Sequence, residues 1–140
     1  MDYFQQFKGR FLGVMQLDDC DILLQTLIQN PDNWYVYDTL EPMPSSTISA
    51  DDFISKITHI KTIIDKDHDE RYCGIVYVDD LKKPTFVKIF HPKNLGKTCG
   101  SSENPPMPQW LISKEKPMDV VLEFGPKEES EGFISKCLKF

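Results

Sequence analysis

Apolar side chains recur at helical spacing after residue 50: Phe53, Ile54, Ile57, Ile60, Ile63 and Ile64 fall on one face. That period predicts an amphipathic helix of roughly three turns. Ser49 precedes it as a capping residue, and Asp51 and Asp52 place negative charge at its positive end. A second helix is predicted from a cap at Asp18 and Asp19, with Ile22, Leu23, Leu24, Leu27 and Ile28 as its buried face. Asn30-Pro31 should stop it, because the residue before proline is pushed out of the helical region. Phe4, Phe7, Phe11 and Met15 are spaced by three and four and read as a core-facing stripe over residues 3–17. Gly9 and Gly13 weaken a helix there, and Arg10 to Leu17 reads equally well as a strand.

Elsewhere the pattern is that of strands. Trp34 to Tyr37 is aromatic and β-branched. Tyr72 to Val78 and Thr85 to Phe90 flank the turn Asp79 to Pro84 and predict a hairpin. Two registers suit it, Val78 opposite Thr85 or Asp79 opposite Thr85. The first leaves the shorter even loop and keeps Pro84 out of the ladder, and is preferred. Gln109 to Ile112 and Met118 to Phe124 read as two more strands joined by Ser113 to Pro117. Glu41 to Ser46, Asp65 to Arg71 and Gly125 to Gly132 are polar connections, and Phe133 to Phe140 reads as a strand or a last helical turn. The order is a helix, a strand, a helix and then consecutive strands. The expected fold is therefore a single α+β domain, 1–140, with a mostly antiparallel sheet of about five strands against two or three helices.

Composition narrows the function. The chain has 140 residues, 16 Lys and Arg against 22 Asp and Glu, and a net charge of −6. An acidic chain lacks the basic surface that displaces phosphate counterions, so no nucleic-acid partner is expected. No apolar run reaches membrane-spanning length, and anionic lipid would repel the chain. Gln5, Gln6, Lys8 and Arg10 break up any secretory signal near the N-terminus, which leads us to expect a cytoplasmic protein. Cys20, Cys73, Cys99 and Cys137 contain no CxxC pair, and reduced thiols serving as small core side chains are expected at Cys20, Cys73 and Cys137. Cys137 stands where a prenylated cysteine would, but Lys139 breaks the aliphatic requirement of that motif.

The 18 residues from His91 to Pro108 form an unusually long connection for a compact domain. Leu95-Gly96-Lys97-Thr98 looks like the end of a phosphate-binding loop, yet His91 occupies the position where that motif needs glycine. A looser anion site remains, with Lys93 and Lys97 supplying charge, and Thr98, Ser101 and Ser102 supplying hydroxyls. Cys99, two positions from Lys97, is the candidate nucleophile, with His91 as its base. Zinc held by Cys73, His91 and Cys99 would need the second hairpin register, so no metal and no cofactor are expected. Asp79-Asp80 reads as turn chemistry, and His59 as a boundary position on the isoleucine-rich helix.

Two functional readings follow. The first is a non-catalytic binding or interaction module with a protein partner or a second copy, using Pro42-Met43-Pro44 and Pro106-Met107-Pro108 as exposed apolar points beside Trp110. The alternative is binding of a small anionic ligand, or thiol-dependent chemistry, on the 91–108 loop.

Overall fold

The computed structural model describes residues 2–67, 72–91 and 107–124. The elements in order are α1 (Tyr3–Phe7), β1 (Leu12–Gln16), α2 (Leu17–Gln29), β2 (Tyr35–Asp38), α3 (Ala50–Asp67), β3 (Tyr72–Val78), β4 (Phe86–Ile89), β5 (Trp110–Ser113) and α4 (Val120–Phe124). The strands form one antiparallel sheet in the order β1-β3-β4-β5-β2. The α+β architecture anticipated from the pattern is the one observed.

α3 follows its sequence signals closely. The Ser49 hydroxyl oxygen accepts a hydrogen bond from the Asp52 amide at 3.2 Å, satisfying one otherwise unpaired helix-start donor. The helix continues through Asp67, so the charged stretch expected to be a turn begins inside it. α2 starts earlier than its acids suggested. Gln16 is the cap without a side-chain hydrogen bond, and Asp18 and Asp19 act through charge in the first turn. α1 is capped reciprocally: Asp2 Oδ1 accepts from the Gln5 amide (2.8 Å) and Gln5 Oε1 from the Asp2 amide (2.9 Å). It ends before Gly9, where a Cβ would sit 3.2 Å from the Gln6 carbonyl oxygen. The helical stripe therefore stops at Phe7, and the strand reading of the following residues is realised as β1.

Alternation along the strands gives the sheet two apolar faces. On one, Leu23, Leu24 and Leu27 of α2 and Phe53, Ile57, Ile60 and Ile64 of α3 pack on Val76, Val78, Val87, Ile89, Trp110 and Ile112. Cys20 is buried there as expected, whereas Ile22 is 64 % exposed and lies off the core face. On the other, Tyr3, Phe7 and Val120 cover Phe86, Leu111 and Tyr37, with Phe4, Phe11, Met107, Met118 and Val121 at the margin. Phe86 is the hub of this second core: its ring centroid lies 4.9 Å from that of Tyr3 and 5.6 Å from that of Phe11. The N-terminal phenylalanines thus serve packing.

Three further expectations need correction. The hairpin takes neither register proposed, because Val78 pairs with Val87 and Val76 with Ile89. Asp79 causes the shift. Its carboxylate accepts from the Thr85 amide (3.0 Å), the Phe86 amide (3.1 Å) and the Thr85 hydroxyl, drawing Thr85 out of the ladder. Met118 to Phe124 is not a strand. Asp119 accepts from the Leu122 amide (2.8 Å) and starts the short helix α4, which buries Val120 on the second core. Finally, Pro108 and Trp110 are buried and Met107 packs on the second core, so they are not exposed points. In the other motif Pro42 and Met43 are exposed and Pro44 is half-buried, while Pro106 lies outside the described residues. Among the described residues no helix is long and apolar enough to cross a membrane.

Candidate ligand-binding cleft

Of the residues singled out in the 91–108 loop, His91 is described. It is half-buried after β4, its ring stacked on the Trp110 indole with centroids 5.9 Å apart. Cys99, Lys93, Lys97, Thr98, Ser101 and Ser102 lie outside the described residues, as do Cys99's proposed contacts with His91. Among the described residues no three His, Cys, Asp or Glu side chains converge as metal donors. His59 is exposed rather than at a boundary, on an open groove of about 360 Å³ shared with Ile48, Asp52, Ser55 and Lys56. That groove mixes both signs of charge.

A more enclosed cleft of about 400 Å³ lies where the end of α2 meets the β3–β4 turn. Thr26, Leu27 and Asn30 form one wall, Lys82, Lys83, Pro84 and Thr85 the other, and Trp34 and Lys114 the floor. Each wall is held by local hydrogen bonds. The Asn30 amide N–H donates to the Leu27 carbonyl (3.1 Å), and its side-chain Nδ2 donates to the Thr26 carbonyl (3.0 Å), ending α2. Asn33 adopts φ 63°, a left-handed conformation that asparagine tolerates, and turns the chain into Trp34. The indole Nε1 donates back to the Asn30 carbonyl at 2.6 Å. One face of the indole stacks on Phe53 with an interplanar angle of 7°. The other carries the Lys114 ammonium, 4.1 Å from the ring centroid.

Sheet register brings the two basic segments together. Phe86 pairs with Ser113, and the Lys114 amide donates to the Thr85 carbonyl at 3.0 Å, so Lys114 sits beside the β3–β4 turn. The Lys114 ammonium donates to the Asp32 carbonyl at 2.6 Å. Burial pushes the Lys114 ammonium down from its ordinary value, and the Asp32 carboxylate opposes that. In the turn, Asp80 Oδ1 accepts from the Lys82 amide (2.9 Å) and the Lys83 amide (3.4 Å). Asp79 is engaged by Thr85 and Phe86. The acidic residues nearest Lys82 and Lys83 are thus engaged by backbone amides. Lys61 is ion-paired with Asp21 and Asp65, whereas among the described residues no ion pair involves Lys82, Lys83 or Lys114.

Three lysines therefore line the cleft on an otherwise acidic chain. Its hydroxyls cannot do much more: Thr26 donates to the Ile22 carbonyl (2.8 Å) and Thr85 to Asp79. The titratable side chains among its lining residues are those three lysines, which supply neither a carboxylate base nor a thiol nucleophile. Comparison with protein-family models, with curated proteins and with solved structures found no match. Sequence reading placed Lys82-Lys83 in a turn and Lys114 in a connection, without linking them. The available signal was the basic pair one residue after two turn-forming aspartates.

Proposed function

We propose that the protein is a non-catalytic binding module, and that its site takes a small, multiply charged anion bearing phosphate or carboxylate groups. One observation carries this reading: Lys82, Lys83 and Lys114 line a single concave cleft with no carboxylate paired to them among the described residues. Leu27, Trp34 and Pro84 give the same cleft an apolar side, and its volume falls within the range of small-molecule sites. Hydrogen bonds to charged groups contribute about 1.5–3 kcal/mol each. Two such bonds amount to about 3–6 kcal/mol, which corresponds to a dissociation constant of about 1 mM within a factor of ten or so either way. Calorimetric titration with pyrophosphate at low ionic strength tests it. We expect saturable binding that weakens at least about tenfold in the Lys82→Ala, Lys83→Ala double variant and with rising salt. Lys56→Ala, on the other groove, should leave the affinity unchanged. Absent heat, or equal affinity in every variant, rejects the assignment.

A further inference from the structure

We propose that two copies of this chain associate through β1, extending the sheet antiparallel across a twofold axis at Gly13. β1 ends the sheet, and among the described residues its strand partner is β3. The direction of its outer hydrogen-bonding groups follows from the ladder. The Asp79 amide donates to the Phe86 carbonyl and the Phe90 amide to the Ile75 carbonyl, so odd-numbered β3 residues face β4. Val76 and Val78 then face β1, where Val14 and Leu12 are their partners. Gly13, between them, turns its N–H and C=O away from the sheet, and with no side chain it allows another backbone close approach. The register is regular from Leu12 to Val14 and irregular only beyond, between Val14 and Gln16. The strand, Leu-Gly-Val-Met-Gln, contains no charge and no proline, two devices that normally block edge pairing.

Charge complementarity selects a second copy as the occupant. Arg10 precedes the strand, Asp18 and Asp19 follow it, and all three are exposed. Among the described residues none of them has an ion pair. A twofold axis at Gly13 sets residue 13−n of one copy against residue 13+n of the other. Beyond the regular stretch, Arg10 of each copy is thereby brought toward the Gln16 end of the other strand, where Asp18 and Asp19 follow in the first turn of α2. Both ends of the pairing carry this match. Leu12, 54 % exposed at the edge, would be covered by the same contact.

Sedimentation velocity of the full chain, over a hundredfold range of concentration up to about 0.2 mM, reads the outcome. A concentration-dependent dimer is expected, weakened by salt. Arg10→Asp should weaken dimerisation at least about tenfold, as should Asp18→Arg with Asp19→Arg, whereas combining Arg10→Asp with Asp18→Arg should recover most of the loss. Recovery separates the interface from any general effect of charge reversal on α2. Leu12→Lys, at an exposed edge position, should also favour the monomer. A monomer at every concentration overturns the proposal, as does a dimer indifferent to these substitutions. A monomer in which the Gly13 amide resists hydrogen exchange also overturns it, and assigns the edge to another segment of the same chain.

Discussion

Lys88 offers a quantitative test of how the second core is built. It sits on β4 beside Phe86, half-buried, with its ammonium 4.2 Å from the Phe7 ring centroid and 4.1 Å from that of Phe11. Burial pushes this group down to about 8 from the 10.5 of an unfolded lysine. The fold thus binds fewer protons than the unfolded chain between those two values, and stability should rise with pH across that window. Linkage gives about 2 kcal/mol of the rise between roughly pH 7 and pH 9.5. Two effects reduce it: each ring face favours the cation by about 0.5–1 kcal/mol, and partial solvent access screens the burial penalty. We expect about 1 kcal/mol. Higher pH is uninformative, because burial holds the phenols of Tyr3 and Tyr37 above their ordinary value, so tyrosines ionising in the unfolded chain near pH 10 would lower stability. The measurement is urea unfolding of the native chain and Lys88→Met at several pH values, followed by tryptophan fluorescence. Met should be the more stable side chain near pH 7, with its advantage shrinking by about 1 kcal/mol toward pH 9.5. Parallel pH profiles for the two proteins, or an advantage that grows with pH, would refute the burial argument.

Other contacts make further predictions. The Tyr3 hydroxyl is buried without a hydrogen bond among the described residues, while neighbouring Ser113 donates its proton to the Glu115 carbonyl at 2.7 Å. Tyr3→Phe should therefore stabilise the fold by about 1 kcal/mol in thermal or urea unfolding, and a loss of stability would show that the hydroxyl is satisfied in solution. Asp79→Ala removes the acceptor for three donors that fix the β3–β4 turn, and should cost about 2–3 kcal/mol in the same assay while also weakening pyrophosphate binding. Ser49→Ala should cost about 1 kcal/mol through the lost cap of α3, without affecting pyrophosphate.

Legibility in the sequence differed from element to element for physical reasons. α3 was readable because six apolar positions shared the helical period and a serine stood at its cap. The β3–β4 hairpin was readable as an element but not in its register, because carboxylate-to-backbone bonds from Asp79 and Asp80 outweighed the preference for a short even turn. At Met118 to Phe124 two adjacent valines imitated a strand. Asp119 was the visible helix signal, and burial of Val120 decided the outcome. β1 lay hidden inside a stripe that also fitted a helix, with the break set at Gly9. The cleft was not legible at all: Lys114 is far in sequence from Lys82 and Lys83, and only the pairing of Phe86 with Ser113 makes them neighbours.

The binding claim is tested most directly by mapping amide and indole N–H resonances in a nuclear magnetic resonance titration with pyrophosphate. Saturable shifts should cluster at Thr26, Asn30, Lys82 to Thr85, Lys114 and the Trp34 indole N–H. Shifts confined to the 91–108 loop, or no saturable shift anywhere, would contradict the account.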